Sequence, residues 1–145
     1  MMPDQNQADD AQLLAQFSQM YRSAIDVFLD RVDMYRGQAL ALCTVVKQDG
    51  MTQSEIAVAL SVQGATITKM LKHLEESKLV VRSRDPVDNR LVRVYATDAG
   101  RQLESSIREQ LRSLESSVLN GMSHEEREVL RQLVWQMIGN MTRTS

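Results

Sequence analysis

Polar and cationic side chains recur at helical spacing between residues 63 and 76. If Ile67, Met70, Leu71 and Leu74 face a core, the opposite face carries hydroxyl, ammonium and imidazole groups, which bind phosphate oxygens and base edges. An ordinary solvated face is the alternative, and the neighbouring elements favour the binding interpretation. The predicted contact residues of this segment are Gln63, Ala65, Thr66, Thr68, Lys69, Lys72 and His73.

Four arginines follow within twelve residues. Arg82, Arg84, Arg90 and Arg93 lie in and around a segment rich in β-branched residues, and guanidinium groups suit phosphates and narrow minor grooves. Asp88 precedes Arg90 by two residues, so an ion pair between them would orient Arg90. The alternative is an aspartate that only stabilises a turn beside a free arginine. We predict contacts from Arg82, Arg84, Asp88 and Arg90.

The charge of the chain is distributed unevenly. The 145 residues carry a net charge of −2, yet residues 61–101 hold eight Lys and Arg against five Asp and Glu. A local excess of +3 in about forty residues is the electrostatic pattern expected of a nucleic-acid-binding surface. A dimer would present this surface twice.

Helix signals surround the cationic segment. Apolar residues at three- and four-residue steps predict a long amphipathic helix from about residue 10 and a shorter helix over 37–48. The capping box that runs from Thr52 to Glu55 predicts a helix that begins at Gln53. A tight turn over 61–64 then leads into a helix over about 65–77, and Gly64 is read as a turn residue.

Two β-branched segments, 79–84 and 91–96, come next, separated by a loop with Pro, Asp and Asn, which predicts a hairpin. Thr97 and Asp98 cap a further helix that stops at Asn120-Gly121, and a second capping box at Ser123 starts the last helix. Two short helices followed at once by a hairpin predict a winged helix-turn-helix. The fold class is therefore mainly α, with a small β-hairpin wing.

These motifs together resemble the MarR family of bacterial regulators over roughly residues 12–141. The most specific mark is the Asp-x-Arg of the wing followed by Thr-x-x-Gly. The segments that carry the resemblance are Thr52-Gln53-Ser54-Glu55-Ile56-Ala57, Ala65-Thr66-Ile67-Thr68-Lys69-Met70-Leu71 with Leu74-Glu75, Leu79-Val80-Val81-Arg82, Asp85-Pro86-Val87-Asp88-Asn89-Arg90 and Thr97-Asp98-Ala99-Gly100.

The resemblance implies a homodimeric, double-stranded-DNA-binding transcription regulator, most often a repressor. It implies a helical dimerisation region over 10–36 and 98–145 and a winged DNA-binding module over 37–97. Residues 1–9 are mostly polar and have no apolar spacing, which predicts a disordered N-terminus. Twofold symmetry would match a pseudo-palindromic operator whose half-sites lie about 34 Å apart.

The resemblance further implies release by a small aromatic or phenolic ligand, in a crevice between the dimer helices and the winged module, or by thiol oxidation. In the thiol-sensing branch of that family, the reactive cysteine lies near the start of the first helix. The one cysteine of this chain, Cys43, lies instead in an Ala/Leu-rich stretch of the predicted second helix, so an inert buried thiol is favoured. A regulator that uses Cys43 as an oxidation sensor stays an alternative.

Other classes of protein find little support in the sequence. His73 and His124 have no partners at catalytic-triad or metal-ligand spacing, and the glycines are scattered, so we expect no enzyme, metal or cofactor. The longest apolar run, 39–46, is far too short to span a bilayer, which favours a cytoplasmic protein. A winged helix that binds a protein partner instead of DNA remains the second alternative.

Overall fold

The computed structural model describes residues 9–144, which contain six helices and three short strands. The elements are α1 (Asp10–Asp30), α2 (Arg36–Lys47), β1 (Met51–Thr52), α3 (Gln53–Leu60), α4 (Gly64–Glu76), β2 (Val80–Arg84), β3 (Val92–Ala96), α5 (Asp98–Val118) and α6 (His124–Thr144). The mainly helical fold class is confirmed. Residues 1–8 of the expected disordered N-terminus lie outside the described residues, while Asp9 caps α1 by accepting a hydrogen bond from Gln12 N–H.

Side-chain caps fix the predicted helix starts. Thr52 Oγ1 accepts from Glu55 N–H at 3.2 Å, and Glu55 Oε2 accepts from Thr52 N–H at 2.7 Å. Ser123 and Glu126 form the same reciprocal pair at the start of α6. Each pair satisfies two backbone N–H groups that a helix start leaves without partners, so both capping-box predictions are confirmed.

Two features of the predicted turns and strands were wrong or missed. The left-handed residue of the α3–α4 turn is Ser61, with φ of 53°, while Gly64 is the first residue of α4 instead of a turn residue. The wing is a three-stranded antiparallel sheet in the order β1-β3-β2, because Met51 pairs with Val94 and Thr52 with Arg93. A strand of two residues is too short to show the alternation by which strands are predicted.

The chain divides into two compact units, one that runs through Leu111 and one that begins at Arg112. The core of the first unit is formed by side chains from the helices α1, α2, α3 and α4, from the sheet and from the first half of α5. Its most deeply buried large side chains are Leu29, Leu42, Val45, Ile56, Ile67, Leu71, Leu74, Val80 and Val94. Three of these come from α4, so packing fixes which face of α4 remains exposed.

The Thr97–Gly100 segment fastens α5 to the end of the wing. Thr97 Oγ1 donates to Lys78 O at 2.7 Å and accepts from Gly100 N–H at 3.0 Å, while Thr97 N–H donates to Leu79 O at 3.0 Å. A Cβ built on Gly100 would lie 2.1 Å from Leu79 O. The Thr-x-x-Gly motif thus combines a helix cap with a close backbone approach that only glycine permits.

Candidate nucleic-acid interface

The exposed face of α4 carries most of the predicted helix contacts. Ile67, Leu71 and Leu74 are buried, and on the outward side the exposed residues are Gln63, Ala65, Thr66, Lys69 and Lys72. Within residues 9–144 no carboxylate lies within ion-pair distance of Lys69, whereas Lys72 Nζ lies 3.9 Å from Glu76 Oε1. The Lys69 ammonium is therefore available to an external anion, and the exposed Lys72 ammonium is shared with Glu76.

Within residues 9–144, no side chain caps the N-terminus of α4. Gln63 occupies the N-cap position but its side chain makes no capping hydrogen bond, in contrast to the complete capping box of α3. The first N–H groups of a helix carry partial positive charge and are suited to bind phosphate oxygens when no side chain occupies them. This end of α4 can therefore accept a backbone phosphate beside the lysines.

Two predicted contact residues of α4, Thr68 and His73, also make hydrogen bonds within the protein. Thr68 Oγ1 donates to Gly64 O at 2.8 Å and accepts from Gln53 Nε2 at 2.6 Å. His73 Nε2 lies 3.1 Å from Asp33 O, and because a carbonyl only accepts, Nε2 carries the proton. Their hydrogen bonds tie α4 to α3 and to the α1–α2 turn, and their predicted contact with a ligand stays a prediction.

Gln53 joins three elements and was not singled out by the sequence. Its Nε2 reaches Thr68 on α4, and its Oε1 accepts from Arg82 Nη1 on β2 at 3.2 Å. Arg82 Nε also lies 3.1 Å from Glu75 Oε2, in an ion pair without the alignment of an N–H hydrogen bond. The partners of Gln53 are 15 and 29 residues away, so only the fold reveals that Arg82 is used to fasten the wing to the helix pair.

The wing loop presents one highly exposed guanidinium. Arg90 Nε and Nη2 donate to Asp88 Oδ1 and Oδ2 at 3.1 and 3.3 Å, and the Arg90 side chain is 90% exposed. The hydrogen bonds from the Arg90 side chain and N–H hold the pKa of Asp88 below its ordinary value. The predicted ion pair is therefore present, and its role toward a ligand stays a prediction.

The other wing arginines differ in their surroundings. Arg84 Nη1 donates to Asn89 O at 3.1 Å across the loop, and its side chain has no ion pair within the described part of the chain. Arg93 Nε donates to Asp85 Oδ2 at 2.5 Å and Nη1 donates to Gly50 O at 2.8 Å. Of the four arginines counted in the sequence, Arg84 and Arg90 face outward, while Arg82 and Arg93 hold the wing together.

Two shallow grooves meet at the start of α2, between α1, α2 and α4. One has a volume of about 480 Å³ and the other about 520 Å³, and Tyr35 and Gly37 line both. Thr66 and Lys69 of the exposed α4 face also line the first groove. A molecule bound there would contact the same side chains that a nucleic acid would approach.

Cys43 lies half-buried in α2. Burial raises the pKa of its thiol above the ordinary value, and the negative charge of Glu104 raises it further. The thiolate is the form that reacts with oxidants, so these surroundings favour the unreactive thiol. They give no support to the alternative in which Cys43 senses oxidation.

Groups of three or more His, Cys, Asp or Glu that could hold a metal ion do not occur within residues 9–144. In the same part of the chain, none of the helices combines the length and apolar character needed to cross a membrane.

Comparison with known proteins agrees with the geometry. The model of the MarR family matches residues 34–92, which run from two residues before α2 to the first residue of β3. The chain is 36% identical over 94 residues to YdgJ, an uncharacterized helix-turn-helix-type transcriptional regulator of Bacillus subtilis, with 64% of this chain and 57% of YdgJ covered. The match thus spans little more than half of that relative.

Longer matches cover most of the chain. It is 30% identical over 105 residues to the organic hydroperoxide resistance transcriptional regulator of Bacillus subtilis, covering 72% of this chain and 68% of that protein. It superposes with a TM-score of 0.75 on MepR of Staphylococcus aureus in complex with DNA, at 26% identity, with 92% of this chain and 96% of MepR covered.

Proposed function

The chain belongs to the MarR family of transcription regulators, a family of non-enzymatic DNA-binding proteins, and on this premise we propose that it represses genes by binding a pseudo-palindromic operator in double-stranded DNA as a homodimer. The observation that carries the proposal is the exposed face of α4, with Thr66, Lys69 and Lys72, together with the outward guanidinium of Arg90 on the wing.

Helix α4 has the dimensions and chemistry to enter the major groove. Its 13 residues span roughly 20 Å, and a major groove about 12 Å wide admits one helix. Lys69 and Lys72 would bind phosphates, and Gln63 and Thr66 near the N-terminus would face base edges. Thr68 and His73 would hold the helix in place, as their internal hydrogen bonds support.

The wing would contact the duplex beside the helix. The Arg90 side chain is held by Asp88 yet almost fully exposed, so its remaining hydrogen-bonding capacity is directed to solvent. Such an arginine suits the narrow, electronegative minor groove or the flanking phosphates. Arg84, which is also exposed, would add a second contact from the end of strand β2.

Exposed apolar side chains on the long helices support pairing with a second copy. In α1 these include Leu14 at 50%, Phe17 at 55% and Met20 at 65%, and each of α1, α5 and α6 exposes such residues at helical spacing. Contiguous exposed apolar area on a water-soluble domain marks an interaction surface. The apolar residues exposed on α6 are Val129, Leu133, Val134, Trp135, Met137, Ile138 and Met141.

A small aromatic acid is the effector class that the groove lined by α4 supports. Its volume of about 480 Å³ suits a small molecule, Tyr35 and Met70 offer apolar contact, and Lys69 offers a charge for a carboxylate. Because Lys69 and Thr66 would also approach DNA, a bound acid would compete with the operator. Repression relieved by such an acid follows from this overlap.

Benzoate is a simple probe of this competition. Titrated at millimolar concentration into the preformed complex with labelled DNA, it is expected to lower the fluorescence anisotropy by releasing the protein. Cyclohexylmethylamine, apolar but cationic, serves as the matched control and is expected to have no effect. An anisotropy that benzoate leaves unchanged would rule out this class of effector.

Arg90→Ala is expected to weaken binding to every duplex by about 1–3 kcal/mol, or roughly 5- to 150-fold in affinity. The loss removes one phosphate or minor-groove contact, so the slope of log affinity against log salt should also fall by about one unit. Fluorescence anisotropy at several salt concentrations measures both quantities.

Lys47→Ala is the control for net charge, since it removes one exposed cation from the last turn of α2, a residue that belongs neither to α4 nor to the wing loop. It is expected to change affinity little. Equal effects of the two substitutions would argue against the wing contact. Wild-type binding that is absent, or insensitive to salt, would favour the alternative of a winged helix that binds a protein partner.

A further inference from the structure

The loop of the wing, residues 85–91, is folded around the Asp85 carboxylate. Oδ1 accepts from the N–H groups of Val87 and Asp88, each at 2.8 Å, and Oδ2 accepts from Arg93 Nε at 2.5 Å. The Asp85 side chain is only 12% exposed. One oxygen therefore shapes the loop, and the other fastens it to strand β3.

Arg93, on the central strand β3, also links the loop to the opposite edge of the sheet. Arg93 Nη1 donates to Gly50 O at 2.8 Å, in the turn that precedes β1. Further backbone hydrogen bonds close the loop, from Asp85 N–H to Leu91 O and from Leu91 N–H to Asp88 O, both at 2.9 Å. The hydrogen bonds from Asp88 N–H, the Arg93 side chain and Val87 N–H lower the pKa of Asp85 to about 2, so it is ionised throughout the neutral range.

The same loop determines where Arg90 lies. Asp85 holds the backbone of Asp88, and the Asp88 carboxylate accepts from both the N–H and the side chain of Arg90. The Asp85 carboxylate thus fixes the backbone of the loop, and the Asp88 carboxylate, which that loop carries, fixes the exposed guanidinium of Arg90. Arg90 would otherwise lose more side-chain freedom on binding, which costs affinity.

We propose that Asp85 is a positioning residue that presents Arg90 to DNA through Asp88, and that Arg93 is an internal brace of the wing rather than a DNA contact. The inference rests on the proposed function and adds to it Asp85, for which the sequence predicted no role, and an internal role for Arg93, which the sequence placed among the cations of the wing. It also explains why a DNA-binding loop carries two carboxylates near a polyanion.

The sign of the effect separates positioning from simple electrostatics. Removing a carboxylate from a DNA-facing loop reduces repulsion and by itself should strengthen binding. Asp85→Ala is expected to do the opposite and weaken binding roughly 2- to 10-fold, because Arg90 loses its orientation. Asp85→Asn keeps an oxygen that accepts from the two N–H groups but has no charge for Arg93, so its loss should be smaller.

A double-mutant cycle tests whether Asp85 acts through Arg90. Asp85→Ala is expected to weaken binding in the wild-type background but to leave it unchanged or slightly stronger in the Arg90→Ala background. In a Lys69→Ala background the full loss should persist, since Lys69 lies on α4. Circular dichroism of each variant checks that the fold is retained, and Asp85→Asn substitutes where the alanine variant does not fold.

The outcomes distinguish this inference from the function on which it rests. An equal loss from Asp85→Ala in all three backgrounds, or no loss in any, would overturn the positioning role while leaving the Arg90 contact intact. An Arg90→Ala variant that binds like wild type would instead overturn the proposed wing contact itself. Arg93→Lys, which retains the charge but not the paired geometry, should weaken binding less than Arg90→Lys if Arg93 is a brace.

Discussion

Gly100→Ala is expected to lower the free energy of unfolding by about 3 kcal/mol, because the added methyl group has no room. Its Cβ would lie 2.1 Å from Leu79 O and 3.0 Å from the carbonyl carbon. That carbonyl cannot move away freely, since it accepts a hydrogen bond from Thr97 N–H at 3.0 Å. Relief would require α5 to separate from the end of the wing.

Urea denaturation followed by circular dichroism measures this effect. Gly64→Ala is the matched control, since Gly64 is also helical but a Cβ there meets nothing within 4 Å. It should leave stability unchanged or raise it by about 0.5–1 kcal/mol, as alanine favours helices. Equal urea midpoints of unfolding for the two variants would show that the backbone of Leu79 leaves room for a methyl group at residue 100.

Leu133→Glu combined with Ile138→Glu is expected to convert the protein to monomers and to weaken operator binding by about 100-fold or more. Both side chains are about half-exposed on α6, and two buried carboxylates would oppose the pairing of apolar faces. A dimer that binds two half-sites gains affinity because the second contact is intramolecular, and a monomer loses this gain.

Sedimentation velocity gives the oligomeric state, and anisotropy gives the affinity. Gln132→Glu adds a charge to an exposed position of α6 that lies on the side opposite the middle of the apolar stripe at 3.6 residues per turn. This control should remain dimeric and bind DNA with near wild-type affinity, lowered only by the added charge. A Leu133 and Ile138 variant that stays dimeric would place the interface elsewhere.

Local signals in the sequence predicted much of this structure correctly. Capping boxes act over four residues, so Thr52 and Ser123 identified helix starts without knowledge of the fold. The apolar spacing of Ile67, Leu71 and Leu74 identified the buried face of α4 and, by exclusion, its exposed face. The pair of Asp88 and Arg90 was also readable, because the two residues are neighbours in one loop.

Contacts between residues that are distant in the sequence could not be predicted from such local signals. Gln53 looked like an ordinary first residue of a helix, yet it links α3 to Thr68 and Arg82. Arg93 looked like one more cation for DNA, and its partners, Asp85 and the carbonyl of Gly50, show that its charge is used internally. The common reason is that composition reports which charges exist, whereas tertiary structure decides which of them remain free.

Selection of bound duplexes from a random DNA pool tests the central claim most directly, since it requires binding, sequence recognition and symmetry at once. The wild-type protein is expected to enrich an inverted repeat whose half-sites are centred about one helical turn, roughly 34 Å, apart. A pool that remains random after repeated rounds at low salt, or that converges on a single unrepeated site, would contradict the account of a dimer that reads DNA with α4 and its wing.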